Sequence, residues 1–166
     1  VRDTRHYVEN ASMAIFDFTG KVEVAVTYNL GEVQTAKVRP LSYDIPFQID
    51  GNTVTFTLEH PRNLSVEVNG DIFHNFHLFT GSPERTIPDK DNPEVIYFGP
   101  GIHTVKNGEL RVPSGKTVYL AGGAVLMGRV LIENVHDVKL LGRGIIDHSI
   151  KGGIRIANSR DVYVEG

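Results

Sequence analysis

The residues best suited to proton transfer are Asp147 and His148, a carboxylate and an imidazole side by side after an apolar run. Such groups act as general acid and base when a substrate is held against them. The same pair could contact a substrate remotely, and Asp147 alone suits a structural task, the capping of turn amides. Asp147 and His148 are therefore candidate substrate-binding residues with a structural alternative. His74 and His77 lie three apart, a spacing for zinc on a helix; in a strand they face opposite sides and cannot close on one ion. Asp89-Lys90-Asp91-Asn92-Pro93-Glu94 gathers acidic oxygens but lacks the glycine and distant glutamate of a calcium loop, so it reads as a solvated connection. Gly99-Pro100-Gly101 and Gly122-Gly123 are followed by no Lys-Ser/Thr pair and helix, and are not phosphate loops. No metal or cofactor is expected. Tyr7, Tyr28, Phe73, Phe76 and Phe79 raise the possibility of sugars stacking on an aromatic face, with core packing as the ordinary alternative.

The elements that must position these residues are strands. Ala14–Phe18, Val22–Val26, Thr53–Leu58 and Leu64–Val68 alternate apolar with other residues at period two, the pattern of a sheet with one buried face. Asp50-Gly51-Asn52 and Asn69-Gly70-Asp71 supply turn chemistry beside them. Tyr43–Phe47 contains Pro46, which cannot donate to a ladder, and reads as an edge or a loop. Short strands, tight turns and no helical period predict an antiparallel β-sandwich over residues 1–80. Residues 81–93 hold three prolines and several charges, and read as a linker.

Repetition replaces simple alternation after the linker. Thr117–Gly122 aligns with Asp137–Gly142 and Asp161–Gly166 at offsets of 20 and 24 residues, and Leu110-Arg111-Val112, Val130-Leu131-Ile132 and Ile154-Arg155-Ile156 recur at the same two offsets. The turns repeat as well, as Asn134-x-x-Asp137-Val138 and Asn158-x-x-Asp161-Val162. A third strand fits at Ala124–Leu126 and at Ile145-Ile146. Three short strands per repeat, with Asn and Gly at the corners, predict that residues 94–166 are the first coils of a right-handed parallel β-helix. Val118, Val138 and Val162 should then form one inward ladder. A leucine-rich repeat is the rival at this length, but its helical half and its leucine spacing are missing.

Leu140-Leu141-Gly142-Arg143-Gly144-Ile145-Ile146-Asp147 resembles the Gly-x-Gly-x-Ile-Asp segment in the early coils of polygalacturonase-type glycoside hydrolases of the pectin lyase-like superfamily. Val95–Gly101 and Leu120–Ala124 look like the coils that precede it, and a β-sandwich ahead of such a helix is similar to the dextranase and isopullulanase family. The resemblance implies inverting hydrolysis of a polysaccharide by two carboxyl groups, one protonating the glycosidic oxygen and the other activating water. In that family the pair lies in later Asn-x-Asp and Asp-Asp motifs, followed by Gly-His-Gly and Arg-x-Lys; none of the four occurs in residues 94–166, and the one Asn-x-Asp of the chain, Asn69-Gly70-Asp71, is turn chemistry ahead of the repeats. The catalytic residues are thus expected beyond residue 166, in a longer protein whose repeat pattern is still running at Gly166. The chain also departs from the family after Asp147, where His148-Ser149-Ile150-Lys151 replaces a glycine and an aromatic cluster.

Seventeen Lys and Arg against twenty Asp and Glu, spread without blocks, leave no basic stripe, so nucleic acid is not an expected partner. No apolar run approaches the roughly 20 residues that cross a bilayer. The expected setting is secreted or periplasmic, with any leader already removed. Without cysteine, disulfides and thiolate metal sites are excluded. Two other functions fit a β-helix: a polysaccharide lyase, and a non-catalytic adhesin or tailspike. The sandwich is expected to pack on the N-terminal end of the β-helix, because an uncapped first coil leaves unpaired strand groups.

Overall fold

A computed structural model of the chain describes residues 11–147 and 153–166. The chain divides into two compact units, Val1–Pro83 and Glu84–Gly166. The first contains β1 (Ser12–Asp17), β2 (Val22–Thr27), β3 (Ala36–Arg39), a short 3-10 turn at Leu41–Tyr43, β4 (Phe47–Asp50), β5 (Thr53–Leu58), β6 (Leu64–Val68) and β7 (Asp71–Gly81). Two sheets result, ordered β1-β7-β6-β3 and β2-β5-β4. Val24, Val54, Phe56 and Leu58 from one meet Val38, Leu64, Val66 and Leu78 from the other in one core, which makes the unit a β-sandwich. β5 shows why: its alternate residues Val54, Phe56 and Leu58 are buried and the threonines between them are not.

The sandwich is not wholly antiparallel. β1 runs parallel to β7, Ser12 lying beside Phe76 and Phe16 beside Thr80. These are the first and last strands of the unit among the described residues, so no hairpin joins them, and a parallel pair needs the long connection that the strands between them supply. The segment Tyr43–Phe47 is a loop, with Asp44 in the left-handed region at φ 47°, until Phe47 opens β4. Neither β3 nor β4 stands out in the sequence, because each is a four-residue edge strand.

The second unit follows a different plan. Its strands are β8 (Val95–Phe98), β9 (Gly101–Arg111), β10 (Thr117–Leu120), β11 (Ala124–Glu133), β12 (His136–Gly142), β13 (Ile145–Asp147), β14 (Ile154–Ala157) and β15 (Arg160–Val164). Every pairing among them is parallel. One face is the sheet β15-β12-β10-β8. β11 bends at Gly128: its first half pairs with β13 and its second with β14, while β9 runs alongside both halves. Three faces therefore stack in parallel, the arrangement of a β-helix. At the bend a Cβ on Gly128 would sit 2.8 Å from the Gly108 carbonyl oxygen, so only glycine lets the two backbones approach. Val118, Leu120, Leu126, Val130, Ile132, Val138 and Leu140 fill the interior. The corner residues Asn134, Asp137, Asn158 and Asp161 all have positive φ, between 48° and 57°, which explains the repeated Asn-x-x-Asp. Among the described residues no helix is long and apolar enough to cross a membrane.

The inward ladder needs correction. Thr117 lies beside Lys139, an offset of 22 rather than 20, so Val118 stacks on Leu140, and Val138 stacks on Val162. Val118 and Val138 are both 0% exposed nonetheless, because a slip of two residues keeps the same face of a strand inward. The two glycines that match in the sequence repeats, Gly122 and Gly142, occupy different places in the structure. Gly122 stands in a turn, whereas Gly142 ends β12 directly against β10, where a Cβ would lie 2.0 Å from the Leu120 carbonyl oxygen at φ +116°. The contrast predicts that Gly142→Ala destabilises the protein by more than about 3 kcal/mol. Gly122→Ala, whose nearest neighbour is 3.9 Å away, should change stability by less than about 0.5 kcal/mol. Chemical denaturation of the two variants measures the difference.

Candidate functional site

On the sheet β15-β12-β10-β8 the inward residues Val118, Val138, Leu140 and Val162 leave their neighbours Tyr119, Lys139, Leu141 and Tyr163 on the outer surface. Parallel register aligns them coil over coil. Tyr97 lies beside Tyr119, Tyr119 beside Leu141, and Lys139 beside Tyr163. The Tyr97 and Tyr119 rings stack with centroids 5.2 Å apart. A groove of about 410 Å³ opens on this face, walled by Glu84, Arg85, Lys139, Arg143, Tyr163 and Glu165.

Two tyrosine–glutamate pairs organise the charge of the groove. The Tyr119 hydroxyl donates to Glu84 Oε2 at 2.9 Å. Burial, followed by this hydrogen bond to a carboxylate, pushes the Tyr119 phenol up to about 12. Tyr119 is only 2% exposed although its strand position faces outward. Tyr163 donates to Glu165, and that bond raises the Tyr163 phenol as well. Both carboxylates are thereby held as acceptors beside the cationic side chains of Arg85, Lys139 and Arg143. The exposed Tyr163 ring beside fixed groups of both signs suits a hydroxyl-rich ligand, which offers a C–H face to the ring and both donors and acceptors to the charges.

The residues singled out from the sequence lie elsewhere. Asp147 ends β13 beside Met127, half-buried, on the outer side of a strand whose Ile146 packs into the core. It is not among the groove's walls. His148 lies outside the described residues, as does Tyr7. His74 places its Nδ1 2.7 Å from Asp71 Oδ2, while Asp71 Oδ1 accepts from the Phe73 and His74 amides. These bonds, the Phe73 amide first, hold the Asp71 carboxyl below its usual range. His77 stacks on Phe79 instead of joining His74. Asp89 and Asn92 spend side-chain oxygens on the amides of Asp91 and Glu94. Among the described residues no group of three or more His, Asp and Glu is placed to hold a metal ion. Tyr28 and Phe76 pack against the sandwich core, and Phe73 and Phe79 are exposed.

Sequence reasoning missed Glu84, Lys139, Tyr163 and Glu165. A signal for part of the groove was present: Tyr119, Lys139 and Tyr163 occupy one column of the aligned repeats, each directly after an inward valine. Nothing local marks Glu84.

The sequence matches no family model and no curated protein. Among solved structures, the chain is similar in fold to Dex49A from Penicillium minioluteum. The TM-score is 0.62 at 14% sequence identity, over 89% of this chain. The chain spans 42% of the length of that structure. Likeness at this identity speaks for the fold, and coverage of 89% takes in parts of both units.

The Tyr119 pair makes a pH prediction. A phenol whose pKa is raised in the fold contributes stability that is complete below its ordinary value of 10.0 and is lost as pH rises through about 12. Unfolding measured across that window should show a loss of stability that Tyr119→Phe reduces, and spectrophotometric titration of the folded protein should show a late-ionising tyrosine that is missing from Tyr119→Phe.

Proposed function

We propose that this chain is the N-terminal part of a polysaccharide-degrading glycoside hydrolase, with the groove on the outer face of β10, β12 and β15 contacting the polymer. The observation that carries the reading is the likeness in fold, across 89% of the chain, to Dex49A, a dextranase of glycoside hydrolase family 49. The groove supports it, because the exposed Tyr163 ring and charges of both signs on a rigid parallel sheet fit a carbohydrate better than they fit a lipid or a nucleic acid. The catalytic carboxyl pair belongs to later coils, beyond residue 166, and acts with inversion. The groove then holds a stretch of polymer away from the reacting bond. Asp147 and His148 are secondary candidates for contact with the same polymer. A polymer too large to enter a cell places the enzyme outside it or in the periplasm.

Full-length protein incubated with dextran, polygalacturonate and mixed glucans should release reducing ends from one class of polymer. NMR of the first product should show the anomer opposite to the cleaved linkage. The 166-residue chain alone should release none. Products with an unsaturated terminal residue would replace hydrolysis by lyase chemistry, and binding without any cleavage would favour an adhesin. In the active full-length enzyme, Lys139→Ala and Tyr163→Ala should each raise KM for polymer by about 3- to 10-fold and leave kcat near its original value, the pattern of lost uniform binding.

A further inference from the structure

We infer that the sandwich carries its own binding site for a neutral oligosaccharide, on the outer face of the sheet β1-β7-β6-β3. The inward residues Leu64, Val66, Leu78 and Phe76 leave Ser65 and Glu67 of β6, and Asn75, His77 and Phe79 of β7, on the opposite side. Register sets Arg39, Ser65, His77 and Met13 in one row across the four strands, with Ile15 beside Phe79. An open groove here is lined by Arg39, Asn63, Ser65 and Phe79 among others.

Two properties of this face point to a ligand. Among the described residues Ser65 Oγ, Glu67 Oε2 and Asn75 Oδ1 are buried side-chain atoms without a hydrogen-bond partner, and all three side chains lie on this one face of the sheet. Glu67 is 4% exposed, and only its other oxygen is engaged, by Arg39. Unmet buried acceptors are costly unless donors reach them. Beside them stands an apolar platform, with Phe79 40% exposed and stacked on His77, and Met13 and Ile15 open to solvent. A sugar matches both halves. Its hydroxyls donate to the carboxylate and amide oxygens while accepting from Arg39, and its C–H face covers the Phe79 ring. The unmet acceptors argue against an anionic ligand, which would set its own charge against Glu67.

The site is independent of the β-helix groove, but the choice of probe rests on the glycosidase reading. Isomaltohexaose titrated into the 166-residue chain, followed by amide NMR, should shift residues 37–39, 63–67 and 77–79. Phe79→Ala should weaken this binding by about 3- to 10-fold. Ser65→Ala, which removes an unpartnered hydroxyl, should weaken it without lowering Tm. The inference is overturned if this sheet shows no shifts with isomaltohexaose or with cellohexaose and xylohexaose run in parallel. It is equally overturned if binding here is unchanged in both variants. Shifts confined to the Lys139–Tyr163 groove would sink this site and leave the proposed function standing, whereas binding on this sheet with no hydrolysis by the full-length protein would do the reverse.

Discussion

In the second unit each inward side chain rests on its counterpart one coil below, and this register requirement governs nearly everything else. Parallel strands leave no freedom to offset a bulky residue by reversing direction, so β-branched and leucine side chains recur at the same level: Val118 on Leu140, Val138 on Val162, Leu126 on Ile146. Where two backbones must come closer than a Cβ permits, the chain has glycine, at Gly142 under the Leu120 carbonyl and at Gly128 over Gly108. Where the path must turn, it has Asn or Asp in the left-handed region. Serines tie successive corners to the one between β11 and β12: Ser159 Oγ, between β14 and β15, accepts from the Val135 amide, and Ser114 Oγ, between β9 and β10, accepts from the His136 amide.

The same register that packs the interior lays out the surface. Outward residues form columns at the spacing of the strands, Tyr97-Tyr119-Leu141 and Thr117-Lys139-Tyr163, which run side by side on one face. A column carried by hydrogen-bonded strands is rigid, and a rigid display costs a ligand little reorganisation. On another face the columns carry charge. Arg155 Nε pairs with Glu133 at 2.8 Å, and Arg111 reaches both Glu133 and Glu109. Both arginines are well exposed, so these pairs contribute little individually and serve more to keep an outer edge soluble.

The sandwich obeys a looser rule. Its core is a conventional meeting of two apolar faces, but its larger sheet buries a glutamate and leaves oxygens unmet on the far side. Satisfied polar groups dominate protein interiors because an unmet one is expensive, so such a concentration on one surface is the clearest departure from simple packing in the chain.

Much of the architecture was legible in the residues themselves. Period-two alternation marked β1, β2, β5 and β6, and the repeats of Leu110, Val130 and Ile154 sit in the structure at the offsets the sequence shows. Alternation and turn chemistry are local: a strand's buried face and an asparagine's tolerance of positive φ are decided within a few residues. Register between coils was not legible to better than two residues, since a slip of two preserves the buried face, and only the close approach at Gly142 distinguishes 22 from 20. The short edge strands β3 and β4 and the parallel pairing of β1 with β7 also emerged only in three dimensions. The groove belongs to the same class. Glu84 meets Tyr119 across 35 residues of chain, and no pattern around either residue announces the other, because their contact depends on where the backbone travels between them.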